Sequence, residues 1–157
     1  MRVLGLDLSL SSPGWSLLDS DSDTILGSGT FPTKNTQVLS ARLAKIAHKV
    51  AGLAAIHEPD LIVVETPISF NSGTTTINIA MVHGGVRVKL AEQGYLELTQ
   101  INPTSLKLFA TGNARAKKPE MIEAALKRWH VELGDDEADA SFLAAKGYEM
   151  SLEEDNG

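Results

Sequence analysis

Two short apolar runs, each followed by a carboxylate, constrain the fold of this 157-residue chain more than any other feature. Residues 3–6 (VLGL) precede Asp7, and residues 61–64 (LIVV) precede Glu65. Short aliphatic runs of this kind predict buried strands. A carboxylate at the end of a buried strand is costly unless a cation or a hydrogen-bond donor compensates its charge. We therefore expect a sheet whose strand ends carry a functional site.

The remaining local patterns predict an α/β protein. Predicted strands cover residues 2–8, 15–18, 24–31, 61–64 and 95–101, and predicted helices cover residues 39–54, 77–93, 103–109, 119–129 and 136–149. This order predicts a mixed five-stranded sheet flanked by helices, with an antiparallel three-strand meander followed by parallel strands. Residues 1–150 form one predicted domain, and the acidic tail at 151–157 is expected to be disordered.

Composition excludes several classes of protein. The absence of cysteine excludes disulfides, zinc–thiolate sites and thiol catalysis. No apolar run is long enough for a transmembrane helix, and no signal-peptide pattern occurs at the start, so we expect a cytoplasmic protein without membrane partners. The net charge is −6, yet residues 103–131 carry six basic and two acidic side chains. A basic segment of this kind favours either phosphate contacts or an ordinary solvated helix face.

The acidic residues are placed for metal chemistry. Asp136 and Asp139 are three residues apart at the start of the last predicted helix, so they share a face. Sites in open α/β sheets form beyond the carboxyl ends of strands, where Asp7 and Glu65 lie. Clustered carboxylates repel each other, and Mg²⁺ or Mn²⁺ relieves that repulsion. Two such ions can clamp the oxygens of a phosphodiester. Taken singly, Asp7 is also typical of a turn residue. Asp136 and Asp139 are likewise typical of residues that cap the start of a helix.

Three segments resemble the motifs of the RuvC family of Holliday junction resolvases, in the ribonuclease H-like superfamily. They are residues 5–7 (GLD), 63–65 (VVE) and 136–140 (DEADA), and the resemblance covers residues 2–149. The short chain is similar to phage-type members. The resemblance implies an Mg²⁺-dependent homodimeric endonuclease that resolves four-way DNA junctions in recombination and repair. It implies two Mg²⁺ ions, replaceable by Mn²⁺, on Asp7, Glu65, Asp136 and Asp139, with Asp135 as the alternative to Asp136.

The resemblance also assigns roles on DNA. It implies that Lys118, or alternatively Lys117, stabilises charge near the scissile phosphate. A stacking aromatic of the family is replaced by Ile68 here, and Phe70 is the nearest aromatic residue. The helix at 77–93 is expected to form the dimer interface, where two adjacent glycines permit close backbone approach. Expected DNA contacts are Phe70, Asn71, Ser72, Thr74, Lys107, Arg115 and Lys117.

Three other functions fit parts of the pattern. A ribonuclease H-like nuclease that cuts other branched DNA or RNA/DNA hybrids would use the same metal chemistry. A non-catalytic DNA-binding scaffold of this fold is a second alternative, although bare carboxylates in its site would only repel DNA. A phosphotransferase of the actin and sugar-kinase type also begins with Gly-x-Asp on a meander, but such chains are usually much longer.

Overall fold

The computed structural model describes residues 1–68 and 73–157, which form five strands and five helices. In chain order they are β1 (Arg2–Asp7), β2 (Gly14–Asp19), β3 (Thr24–Thr30), α1 (Leu39–His57), β4 (Leu61–Glu65), α2 (Gly73–Ala91), β5 (Thr99–Ile101), α3 (Pro103–Thr111), α4 (Lys118–Trp129) and α5 (Asp135–Asp155). No helix in these two ranges combines the length and apolarity needed to cross a bilayer.

The five strands form one mixed sheet in the order β3-β2-β1-β4-β5. The pairs β1–β2 and β2–β3 are antiparallel, whereas β1–β4 and β4–β5 are parallel. The predicted meander with parallel strands after it is therefore confirmed. Because β1 and β4 are parallel neighbours, with Leu6 opposite Val64, their carboxyl ends lie at the same edge of the sheet. Asp7 and Glu65 occupy that edge.

Each face of the sheet packs against its own helices. Side chains of β1 and β4 alternate between the two faces, which is the period-two pattern of strands. One face, with Leu4 and Val64, packs against the buried sides of α1 and α2. The other face, with Val3 and Val63, packs against α3, α4 and α5, where Phe142 is the largest fully buried side chain. Helix α5 crosses β1 and β2 on this second face.

Three predicted boundaries differ from the structure by four residues or more. Strand β5 begins at Thr99 rather than residue 95, because the Tyr95 amide instead donates to the Leu90 carbonyl oxygen in the turn after α2. Helix α2 begins at Gly73, so the threonines expected in a loop belong to its first turn. Helix α5 continues to Asp155, so most of the tail expected to be disordered is helical. Leucine and glutamate in that segment are good helix formers, although its acidic composition suggested a disordered tail.

Candidate metal centre

Helix α5 approaches the sheet closely because glycines face it. A Cβ atom on Gly14 would lie 2.5 Å from the carbonyl carbon of Asp136 and 2.8 Å from its Cβ. A Cβ atom on Gly5 would lie 2.9 Å from the amide nitrogen of Ala144. Both separations are shorter than an ordinary carbon contact, so neither position has room for a side chain. The glycines therefore bring the first turns of α5 against the ends of β1 and β2.

Hydrogen bonds around Glu137 fix the start of α5. Its two carboxylate oxygens accept from the Ser28 hydroxyl of β3 and from the Gly134 amide, each at 3.0 Å. The Ser141 hydroxyl donates to the Glu137 carbonyl oxygen at 2.8 Å and lies 2.8 Å from the Ser16 hydroxyl oxygen in β2. These bonds join the helix to two strands of the meander. They set the direction in which the neighbouring aspartates point.

Asp7 lies at the centre of an acidic cluster. Burial raises the pKa of Asp7 well above its usual value, and the nearby carboxylates of Asp139, Glu65 and Asp136 raise it further, in that order. Burial and then Glu65 raise the pKa of Asp139 to about 7. Burial also raises the pKa of Glu65, an effect that Lys107 opposes. The structure therefore brings together the four carboxylates that the sequence singled out.

The two aspartates that begin α5 point in different directions. Burial and then Asp135 raise the pKa of Asp136, while hydrogen bonds from the Ser12 and Asp7 side chains lower it. Asp135 instead accepts from Lys118, whose Nζ lies 2.6 Å from its Oδ2, and this bond lowers the pKa of Asp135. Of the two alternatives, Asp136 is the one that contacts Asp7. Asp135 forms the ion pair at the rim of the site.

A basic cleft of about 550 Å³ opens beside the carboxylates. Glu65 and Asp139 line one wall, and Ile68 lies at its edge with 41% of its surface exposed. Four cations from α3, α4 and the segment between them line the rest of the cleft. These four cations are Lys107, Arg115, Lys117 and Lys118. The cluster of negative charge thus faces a positively charged wall, an arrangement suited to a phosphate held between them.

The chemistry of the cluster fits hard divalent cations. All four side chains offer carboxylate oxygen, the donor that Mg²⁺ and Mn²⁺ prefer. Burial and then the repulsion between neighbouring carboxylates raise the pKa values of Asp7 and Asp139, and a bound cation would favour their charged forms. Within residues 1–68 and 73–157, no group of three or more acidic, histidine or cysteine side chains is arranged to hold a metal ion by itself. Mg²⁺ usually keeps waters and substrate phosphate among its ligands, so the protein has to supply only part of its shell.

Some predicted residues lie elsewhere, and two important ones were not predicted. Phe70, Asn71 and Ser72 fall outside the described residues, and Thr74 is exposed in the first turn of α2. Gly14 lies between the first two predicted strands, at residues 2–8 and 15–18, yet it begins β2 and faces α5. Glu137 carries no predicted role, although its position three residues after Gly134 is the spacing of a capping box. The sequence alone carries no signal for the bond from Ser28, 109 residues away.

The family model that matches this chain and its curated relatives carry the same description. The family model described as "Crossover junction endodeoxyribonuclease RuvC" matches residues 3–145. Among curated relatives, the crossover junction endodeoxyribonuclease RuvC of Gloeobacter violaceus is 33% identical over 158 aligned positions. That alignment covers 94% of this chain and 88% of the relative. The similarity therefore spans the strands, the helices and the carboxylate cluster.

Solved structures share the architecture at lower identity. Thermus thermophilus RuvC in complex with Holliday junction substrate superposes with a TM-score of 0.83 at 18% identity, covering 97% of this chain and 96% of that one. The yeast mitochondrial Holliday junction resolvase Ydc2 gives a TM-score of 0.64 at 18% identity, covering 98% of this chain and 80% of that one. The fold is thus the ribonuclease H-like fold that the sequence motifs implied.

Proposed function

The chain belongs to the RuvC family of crossover junction endodeoxyribonucleases, and we propose that it resolves four-way DNA junctions by metal-dependent hydrolysis of phosphodiester bonds. The role would lie in DNA recombination and repair. The observation that carries the proposal is the convergence of Asp7, Glu65, Asp136 and Asp139 opposite a basic cleft. A carboxylate cluster alone would fit many metal sites. The adjoining lysines narrow the substrate to a phosphate ester.

The four carboxylates would hold two Mg²⁺ ions, which Mn²⁺ can replace. When bound, the ions supply an activated water and stabilise negative charge on the leaving oxygen. Asp7 is central in this arrangement, because its pKa responds to all three other carboxylates. Asp7 and Glu65 are partly buried at the ends of their strands, which reduces the screening of their charge by bulk water. The strands and α5 thus hold the oxygen donors rigidly, before any substrate arrives.

The lysines would bind and orient the scissile strand. Lys107 is half-buried and close enough to Glu65 and Asp139 to oppose the rise in their pKa values. Lys118 is 77% exposed and is held toward the site by its ion pair with Asp135. An exposed ammonium at that point can contact a phosphate oxygen where charge develops during hydrolysis. We therefore assign Lys118 the chemical role, and Lys107, Arg115 and Lys117 the role of phosphate contacts.

We also propose that the protein acts as a homodimer through α1 and α2. An apolar groove of about 340 Å³ runs between these helices and includes Leu43 and Met81. Met81 is 42% exposed and Val88 is 60% exposed, so two apolar side chains on one face of α2, two turns apart, border solvent at this groove. Among the described residues, nothing beyond the local helix backbone lies within 4 Å of a Cβ placed on Gly84, so a second backbone can approach there. A twofold dimer would present two sites to two strands of a junction.

Cleavage of a synthetic four-way junction tests the proposal directly. Asp7→Asn and Asp139→Asn should each lower the Mg²⁺-dependent cleavage rate by more than about 100-fold, because each removes a metal ligand. Glu153→Gln is the matched control, since it neutralises an exposed carboxylate at the far end of α5. Cleavage at the wild-type rate by either aspartate variant would show that the site is assigned wrongly.

The same assay separates the alternative substrates. Wild-type protein is given a four-way junction, a Y-junction and an RNA/DNA hybrid at equal concentration. We expect the four-way junction to be cut fastest, with paired nicks on opposed strands. Faster cleavage of the hybrid or of the Y-junction would replace junction resolution by another ribonuclease H-like activity. Tight binding of junctions without cleavage of any substrate would indicate a scaffold.

A further inference from the structure

A second polar pocket lies on the opposite side of the sheet edge from the basic cleft. It has a volume of about 320 Å³ and is formed by the loop after β1, the segment before α1, and the first turns of α1 and α2. Among the described residues that line it, Arg42 is the only cation and no carboxylate is present. Its polar lining residues are Ser9, Ser11, Asn35, Arg42, Thr75 and Asn78.

Arg42 is held in this pocket by a hydrogen bond that leaves its charge uncompensated. Its Nε donates to the Thr33 Oγ1 at 2.9 Å, and the Thr33 hydroxyl donates to the Leu10 carbonyl oxygen. The Thr33 amide also donates to the Ser11 carbonyl oxygen at 2.8 Å. Across the described parts of the chain, Arg42 forms no ion pair with a carboxylate. Its terminal nitrogens keep the fork geometry that suits a phosphate.

The pocket is close enough to the carboxylates to contact the same DNA strand. Ser9 follows Asp7 by two residues, so their Cα atoms are at most about 7 Å apart. The pocket opens on the face covered by α1 and α2, whereas the basic cleft opens on the face covered by α3, α4 and α5. A strand that crosses the edge at Asp7 would therefore meet lysines on one side and Arg42 on the other.

We propose that this pocket binds a backbone phosphate of the cleaved strand, adjacent to the scissile one, with Arg42 as its cationic group. The proposal rests on the proposed nuclease function and adds a second anchor to it. The Ser9 and Ser11 hydroxyls and the Asn35 and Asn78 amides supply neutral donors around the phosphate. Two anchors on opposite sides of the metal centre would fix the strand's direction through the site, which one basic wall does not do.

The test is a salt titration of DNA binding in the presence of a chelator, which blocks cleavage. Each phosphate contact contributes about 0.9 to the slope of log K against log salt on duplex DNA, and about 0.7 on single strands. Arg42→Gln should lower this slope by about that amount and weaken binding about tenfold at low salt. Lys45→Gln is the matched control, because Lys45 is an exposed cation one turn away that lies outside the pocket.

Two outcomes would overturn the proposal. One is a wild-type slope for Arg42→Gln, and the other is an equal loss of slope for Lys45→Gln. Thr33→Val separates charge from structure, because it removes the bond that holds Arg42 but keeps the cation. We expect its slope to stay near that of wild type; an equal loss in Thr33→Val and Arg42→Gln would contradict a phosphate contact. If wild-type protein leaves four-way junctions uncut, the nuclease proposal fails, and the same titration on a single-stranded oligonucleotide still tests the pocket.

Discussion

The replacement of Gly14 by alanine should damage the metal centre without touching any functional side chain. Gly14 does not need glycine for its backbone conformation, since the described glycines with positive φ are Gly94 and Gly112. It needs glycine for space, because an added Cβ would lie 2.5 Å from the carbonyl carbon of Asp136. Carbon atoms normally approach to about 3.5 Å. The first turn of α5 would therefore have to move by about 1 Å.

A displacement of this size has separate effects on activity and stability. Moving a catalytic group by about 1 Å can lower a rate about 100-fold, because the reacting groups lose their alignment. Overpacking typically lowers the free energy of unfolding by about 1–3 kcal/mol. We therefore expect Gly14→Ala to cut a four-way junction about 100 times more slowly with saturating Mg²⁺. Cleavage rates are to be measured at a temperature where thermal denaturation shows the variant to be folded.

Gly52→Ala is the matched control for this experiment. Gly52 lies inside α1, and no described atom outside the local helix backbone lies within 4 Å of a Cβ added there. Alanine is the better helix former, so this variant should keep the wild-type rate and gain up to about 1 kcal/mol of stability. Cleavage by folded Gly14→Ala within about twofold of wild type would refute the reasoning. It would show that the close approach of α5 to β2 does not position the carboxylates.

Three further predictions concern charge, phosphate contact and assembly. The pKa of Asp139 is raised to about 7 in the folded state. Relative to that of Asp139→Asn, the free energy of unfolding of the metal-free protein should therefore fall by at most about 1.4 kcal/mol per pH unit as the pH rises from about 4 to 7. Urea unfolding in the presence of a chelator measures this difference. Lys118→Ala should lose cleavage while binding junctions nearly as well as wild type. Lys117→Ala should mainly weaken binding. Equal cleavage by wild type and Lys118→Ala would show that Lys118 has no chemical role. Met81→Glu should dissociate the dimer in sedimentation velocity, whereas Ile56→Glu should not, because Ile56 is a more exposed apolar residue of α1 that lies outside the groove.

The sequence predicted the elements of the site but not how closely they pack. The apolar runs before Asp7 and Glu65 identified two buried strands, and the order of elements predicted parallel strands after the meander. Both inferences depend on local patterns and general topology rules, which a single sequence contains. That β1 and β4 are neighbours is known from the fold. The contact of α5 with β1 and β2 depends on Gly5 and Gly14, which look like ordinary turn or strand residues. Only the fold shows that each of them faces a helix backbone.

The acidic start of α5 shows why one-residue precision required the structure. Asp135, Asp136 and Glu137 are equally acidic, and all three suit the positive end of a helix dipole. Each residue turns about 100° from the one before it, so consecutive side chains face different surroundings. Asp135 therefore pairs with Lys118, Asp136 contacts Asp7, and Glu137 accepts from β3. A shift of one residue in the helix start would exchange these partners, and the hydrogen bonds of Glu137 prevent such a shift. The position of the carboxylates at the candidate metal centre is thus set in part by Glu137, which lies outside the proposed set of ligands.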